Sequence, residues 1–221
     1  MKGDAMEKIR VLSSGRNVLL ALLLFLFALI AMNIAATMFY RATGGYGLLD
    51  LGGGPNLLDD RGSYTPAGAY ALISHYGAAG IARYYKLLVS DIFFPAILGL
   101  FAMLALIHGT GRAFPGKRWL EFLALLPLAY TLADWSENVG IVTMLMNYPR
   151  ELPEVAQWTN VARGMKSLLA NTSLLLVVII WSAALWRSVR CNRQCGSGLK
   201  SLLQVPSHLF RGSSGKPTSF P

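Results

Sequence analysis

Hydrophobic positions in this chain do not alternate. They gather into long runs separated by short polar or glycine-rich breaks. Residues 17–40 are apolar almost throughout, and similar runs occupy about 87–107, 120–146 and 166–187. A helix needs about 20 apolar residues to cross the hydrocarbon core of a bilayer, and each run has that length. The first is too long for the hydrophobic part of a signal peptide, about 7–15 residues, so it reads as a retained helix. The pattern predicts an all-α fold: a four-helix transmembrane bundle with an amphipathic helical external loop.

The loop is the segment between the first two runs, 41–87. Its first half is rich in Gly and turn formers and reads as irregular. Its Gly52-Gly53-Gly54 run is not a phosphate loop, because no strand precedes it and no Gly-Lys-Ser/Thr follows. Its second half reads as helical. Thr65 has the place of an N-cap, with Pro66 in the first turn. Ala69, Leu72, Ile73 and Tyr76 follow at helical spacing, as expected of an amphipathic segment lying on the membrane surface. Gly77 is the expected break, with a second helix running from about Ala78 into the membrane. His75 reads as a surface histidine.

Composition agrees with the runs. Hydrophobic residues make up 54% of the 221 and charged residues 14%, a balance foreign to a water-soluble domain. The net charge of +9 does not indicate nucleic acid, since no zinc-finger spacing or aromatic-basic interleaving accompanies it. Basic residues beside spans instead set orientation and meet anionic lipid. Thirteen of the twenty lie in 1–16, 108–118 and 187–221. The expected location is therefore the bacterial cytoplasmic (inner) membrane, with both termini cytoplasmic. Residues 1–16 are then a cytoplasmic N-terminus and 17–187 the transmembrane domain. Residues 188–221 form a Ser/Gly/Pro-rich basic tail expected to be disordered. Cys191 and Cys195 supply two thiols where structural zinc takes four ligands, so they read as free thiols.

The third run carries the candidate chemistry. Asp134, Glu137 and Asn138 stand near its middle, where charged side chains are costly and mark a functional site by default. Spacings of three and four put them on one helical stripe with Ile141, and Tyr130 one turn below. Such a stripe must face other helices. Asp91 lies at the outer end of the second run, four residues before Pro95, whose missing N–H can kink a helix. Arg163, Lys166 and Asn171 lie at the outer end of the fourth. These positions predict an outward-facing polar pocket lined by Asp91, Asp134, Glu137, Asn138 and Asn171, with Asn33 and Thr37 as further candidates. Such a pocket suits a small cationic or lipid-like ligand, or a divalent cation held by oxygen ligands. Asp134 and Glu137 could alternatively serve as acid and base on a membrane lipid or isoprenoid. A third reading pairs the acids with Lys166 or Arg163 in a non-catalytic assembly subunit. The sequence names no cofactor, and membrane lipid is the one partner it implies directly.

Three elements carry a resemblance. Residues 64–85 (YTPAGAYALISHYGAAGIARYY), Asp91-Ile-Phe-Phe-Pro95 and Asp134-Trp-Ser-Glu-Asn138 resemble a broad group of uncharacterised four-span bacterial integral membrane proteins. That group has Y-G-x-x-G-R, D-x-x-F-P and D-x-x-E-N elements. In this chain Ile81 and Ala82 stand between Gly80 and Arg83. The resemblance covers about residues 17–187. It implies the four-span plan and the importance of Asp91, Asp134, Glu137 and Asn138, with no activity attached. The plan is also similar to that of sterol-isomerase-like proteins, which bury acids among membrane helices.

Overall fold

A computed structural model describes the backbone of residues 2–42, 57–58 and 63–203, and the side chains of 7–39, 57–58 and 63–191. Among these residues every regular element is helical. α1 spans Lys2–Leu12, α2 Gly15–Ala42, α3 Pro66–Asp91, α4 Phe93–Ala113, α5 Leu125–Asn147 and α6 Pro153–Leu203. A 3-10 segment, Arg118–Ala124, precedes α5.

Three stretches are long and apolar enough to cross a membrane: Gly15–Phe39 in α2, Pro66–Ala113 through α3 and α4, and Pro153–Cys191 in α6. α5 is not among them. Its 23 residues suffice in length, but Asp134, Glu137 and Asn138 dilute the apolar run. Large apolar side chains nevertheless cover the outside of α2, α5 and α6. Phe27, Val139 and Leu168 are about 70% exposed. A surface of that kind suits acyl chains rather than water.

Local chemistry explains the element ends. The Thr65 hydroxyl accepts a hydrogen bond from the Gly68 N–H and caps α3, with Pro66 entering the first turn. Gly77 then breaks α3 with φ 60°, a left-handed conformation that glycine adopts without penalty. The next interruption falls at Ile92, between α3 and α4. Pro95 has no N–H for the Asp91 carbonyl, so the helix is weakened there. α5 braces this interruption through two side chains that bond to backbone carbonyls beside it. Trp135 Nε1 donates to the Ile92 carbonyl at 3.0 Å, and Thr131 Oγ1 to the Pro95 carbonyl at 3.0 Å.

Several boundaries differ from the sequence expectation. The second apolar run, expected over 87–107, is divided between the end of α3 and α4. The third, expected from 120, opens with the 3-10 segment and becomes α-helical at Leu125. The fourth, expected over 166–187, is the middle of a far longer helix. No proline interrupts residues 154–205, so α6 absorbs most of the polar segment 147–163. For the same reason it runs through Leu203, into the tail expected to be disordered. Residues 204–221, the triple glycine and most of the first half of the 41–87 loop lie outside the described residues.

The expected surface segment is well packed. Tyr70, Ile73, Tyr76 and Tyr84 of α3 join Phe39 of α2, Ile141 and Met144 of α5 and Ala156 of α6 in one core. Leu57 and Leu58 insert into the same core and are almost fully buried. The Leu152 N–H donates to Tyr70 Oη at 2.6 Å, and the Tyr64 N–H to Asn160 Oδ1 at 3.1 Å. Those bonds tie this segment to the start of α6. α2 seats on α4 through Phe25, stacked on Phe101 at 5.6 Å between centroids. α4 and α6 are joined where Trp181 Nε1 donates to the Ala105 carbonyl at 3.1 Å.

Candidate functional site

α5 places the site. Its buried positions, including Tyr130, Thr131, Asp134, Glu137, Asn138, Ile141 and Met144, follow a spacing of three and four. The helix therefore turns one face to α4 and α6 and the opposite face outward. Close approach to α6 depends on Gly140, where an added Cβ would overlap Thr159. Approach to α4 depends on Gly99, where a Cβ would overlap Thr131. Small residues at such contacts let helix backbones come together.

α6 supplies the cations. Lys166 Nζ lies 2.6 Å from Glu137 Oε2 and 3.0 Å from Asp134 Oδ1. Arg163 Nε lies 3.7 Å from Glu137 Oε1. Glu137 has no exposed surface, and Arg163 is 6% exposed. In a low-dielectric interior these ions are tolerated because they meet one another. On the α3 side, Asn138 Nδ2 donates to Asp91 Oδ2 at 2.9 Å and to Asp134 Oδ2 at 3.3 Å. One continuous polar chain results: Asp91, Asn138, Asp134, Lys166, Glu137, Arg163. It spans α3, α5 and α6.

Four of the five predicted pocket residues, Asp91, Asp134, Glu137 and Asn138, come together in this chain. Asn171 does not; it points to the exposed side of α6. Helical arithmetic from Lys166 explains the difference, since the buried face continues seven residues on, at Ser173, rather than five on. Asn33 and Thr37 also stay apart. The Asn33 amide donates to the Leu29 carbonyl of its own helix, and the Thr37 hydroxyl to the Asn33 carbonyl. Asp91 faces Asn138, while Lys86 is exposed. Trp135 lies at the edge of the cluster, 40% exposed. Among the described residues no three His, Cys, Asp or Glu side chains gather as ligands of one metal ion would.

Beside the cluster, a groove of about 550 Å³ runs between α3 and α5. Tyr85, Leu88, Ile92, Trp135 and Val139 form most of it, and Asn138 reaches into it. The sequence reading missed this groove, whose walls come from two helices far apart in the chain. No family model matches the chain, and neither a curated protein nor a solved structure is significantly similar to it.

Proposed function

We propose that this chain is a four-span protein of the bacterial cytoplasmic membrane, with both termini cytoplasmic, whose polar cluster binds a small cationic or lipid-like ligand. The spans are α2, the helix through Asp91 and α4, α5, and the apolar middle of α6. α5 joins them despite its polar stripe, because that stripe is turned to α6 and its outer face is apolar.

The observation that carries the ligand reading is where the polar chain meets an open cavity. Asn138, hydrogen-bonded to both Asp91 and Asp134, also lines the apolar groove between α3 and α5. A ligand lying in that groove has its polar end against the chain, where a cation or a hydrogen-bond donor suits the carboxylates.

The direct Lys166 contacts also favour a second reading, in which the cluster holds the helices together in an assembly subunit. Mass spectrometry of the protein purified in mild detergent separates the two. The ligand reading predicts a small molecule or lipid retained by the wild type and depleted, per folded molecule, in Asp91→Asn. The same retained species in both proteins, or none in either, contradicts it.

A further inference from the structure

The polar side chains that line the α3–α5 groove differ in their hydrogen bonding. Two of its polar side chains are already engaged: Trp135 Nε1 donates to the Ile92 carbonyl, and the Thr143 hydroxyl to the Val139 carbonyl. Asn138 differs. Its amide nitrogen faces two carboxylates, Asp91 and Asp134. Carboxylates that pair in this way accept hydrogen bonds, so the amide NH2 must face them and the carbonyl oxygen must face away. That oxygen is buried and has no hydrogen-bond partner, in a residue 7% exposed that lines the groove. A buried acceptor of this kind is costly until a donor reaches it.

We propose that the groove takes a single-chain amphiphile whose small head carries an O–H or N–H donor, a long-chain alcohol or amine, entering sideways from the bilayer. The head donates to Asn138 Oδ1, beside the Asp91 carboxylate. The chain lies along Leu88, Ile92, Val139 and Val142. Val89 and Val139, both at least 60% exposed, leave the groove open along its length to neighbouring acyl chains. A carboxylate or phosphate head is rejected, because it brings acceptors and negative charge to an acceptor flanked by acids. This inference rests on the ligand-binding reading above and specifies its ligand.

The test uses three C16 probes with the same photoreactive tail, bearing an alcohol, an amine or a carboxylic acid head. Each is crosslinked to the detergent-solubilised full-length protein and mapped by peptide mass spectrometry. The alcohol and the amine should label segments 85–92 and 135–143 about tenfold more than the acid, the scale of one buried hydrogen bond. Val139→Trp fills the groove from an exposed position without touching the cluster, and should abolish labelling. Asn138→Leu should erase the preference among heads. Asp91→Asn should weaken the amine most. Equal labelling by all three probes, unchanged in Asn138→Leu, overturns the donor-head assignment. Selective labelling that is lost in Asp91→Asn but survives Val139→Trp overturns the groove route and leaves the ligand reading standing. No selective labelling, together with no species co-purifying with the wild type, overturns both.

Discussion

Lys166 is the residue on which the cluster turns. Its ammonium touches two carboxylates of α5 at once, and neither acid has more than a trace of exposed surface. Removing it breaks both contacts and leaves Arg163, 3.7 Å from Glu137, to balance the two acids, a loss of about 3–5 kcal/mol for a broken buried ion pair. Lys166→Met should therefore lower the melting temperature in detergent far more than Lys86→Met, which removes an exposed charge. Adding Glu137→Gln to Lys166→Met should recover much of the loss, since the double variant buries one negative charge fewer. A double variant no more stable than Lys166→Met would mean that Glu137 and Lys166 are not energetically coupled. The acids of this cluster were legible in the sequence, because carboxylates in an apolar run must face protein. Their partners were legible less evenly. Asn171 was expected in the pocket for its polarity and its place near the end of the run, whereas helical spacing from Lys166 favours Ser173.

At the scale of elements, α5 and α6 are held close by the absence of side chains as much as by their presence. A Cβ at Gly140 would overlap Thr159, whose hydroxyl donates to the Val155 carbonyl of its own helix. Gly140→Ala should therefore cost about 1–3 kcal/mol through overpacking. Gly164→Ala, where a Cβ meets open space, should instead stabilise by up to about 1 kcal/mol through helix propensity. Thermal melts of the two variants read the opposite signs directly; a neutral Gly140→Ala would deny the close approach. Capping and breaking signals were also readable: Thr65 with Pro66, then Gly77, mark the start and the break of α3. Helix lengths were not. An apolar run shows where a bilayer can be crossed, but a helix continues into polar sequence wherever no proline or turn former stops it. α6 does so at both ends.

For the whole molecule, the outside is the informative surface. Leu128, Leu132 and Val139 of α5 are at least half exposed, while the acids a few positions away are buried. That distribution is inverted relative to a water-soluble protein, and it is what makes α5 a membrane helix on the proposed topology. The all-helical class and the membrane character could be read from the lengths of the runs. The groove could not, because its walls belong to two helices distant in sequence. The most direct test places spin labels singly at Leu128, Leu132 and Val139 in protein reconstituted into phospholipid vesicles, and measures collision with oxygen and with a water-soluble nickel chelate. The account predicts high oxygen and low nickel accessibility at all three positions, deepest at those nearest the middle of α5. High nickel accessibility along this face would put α5 in water and contradict a charged cluster buried inside the bilayer.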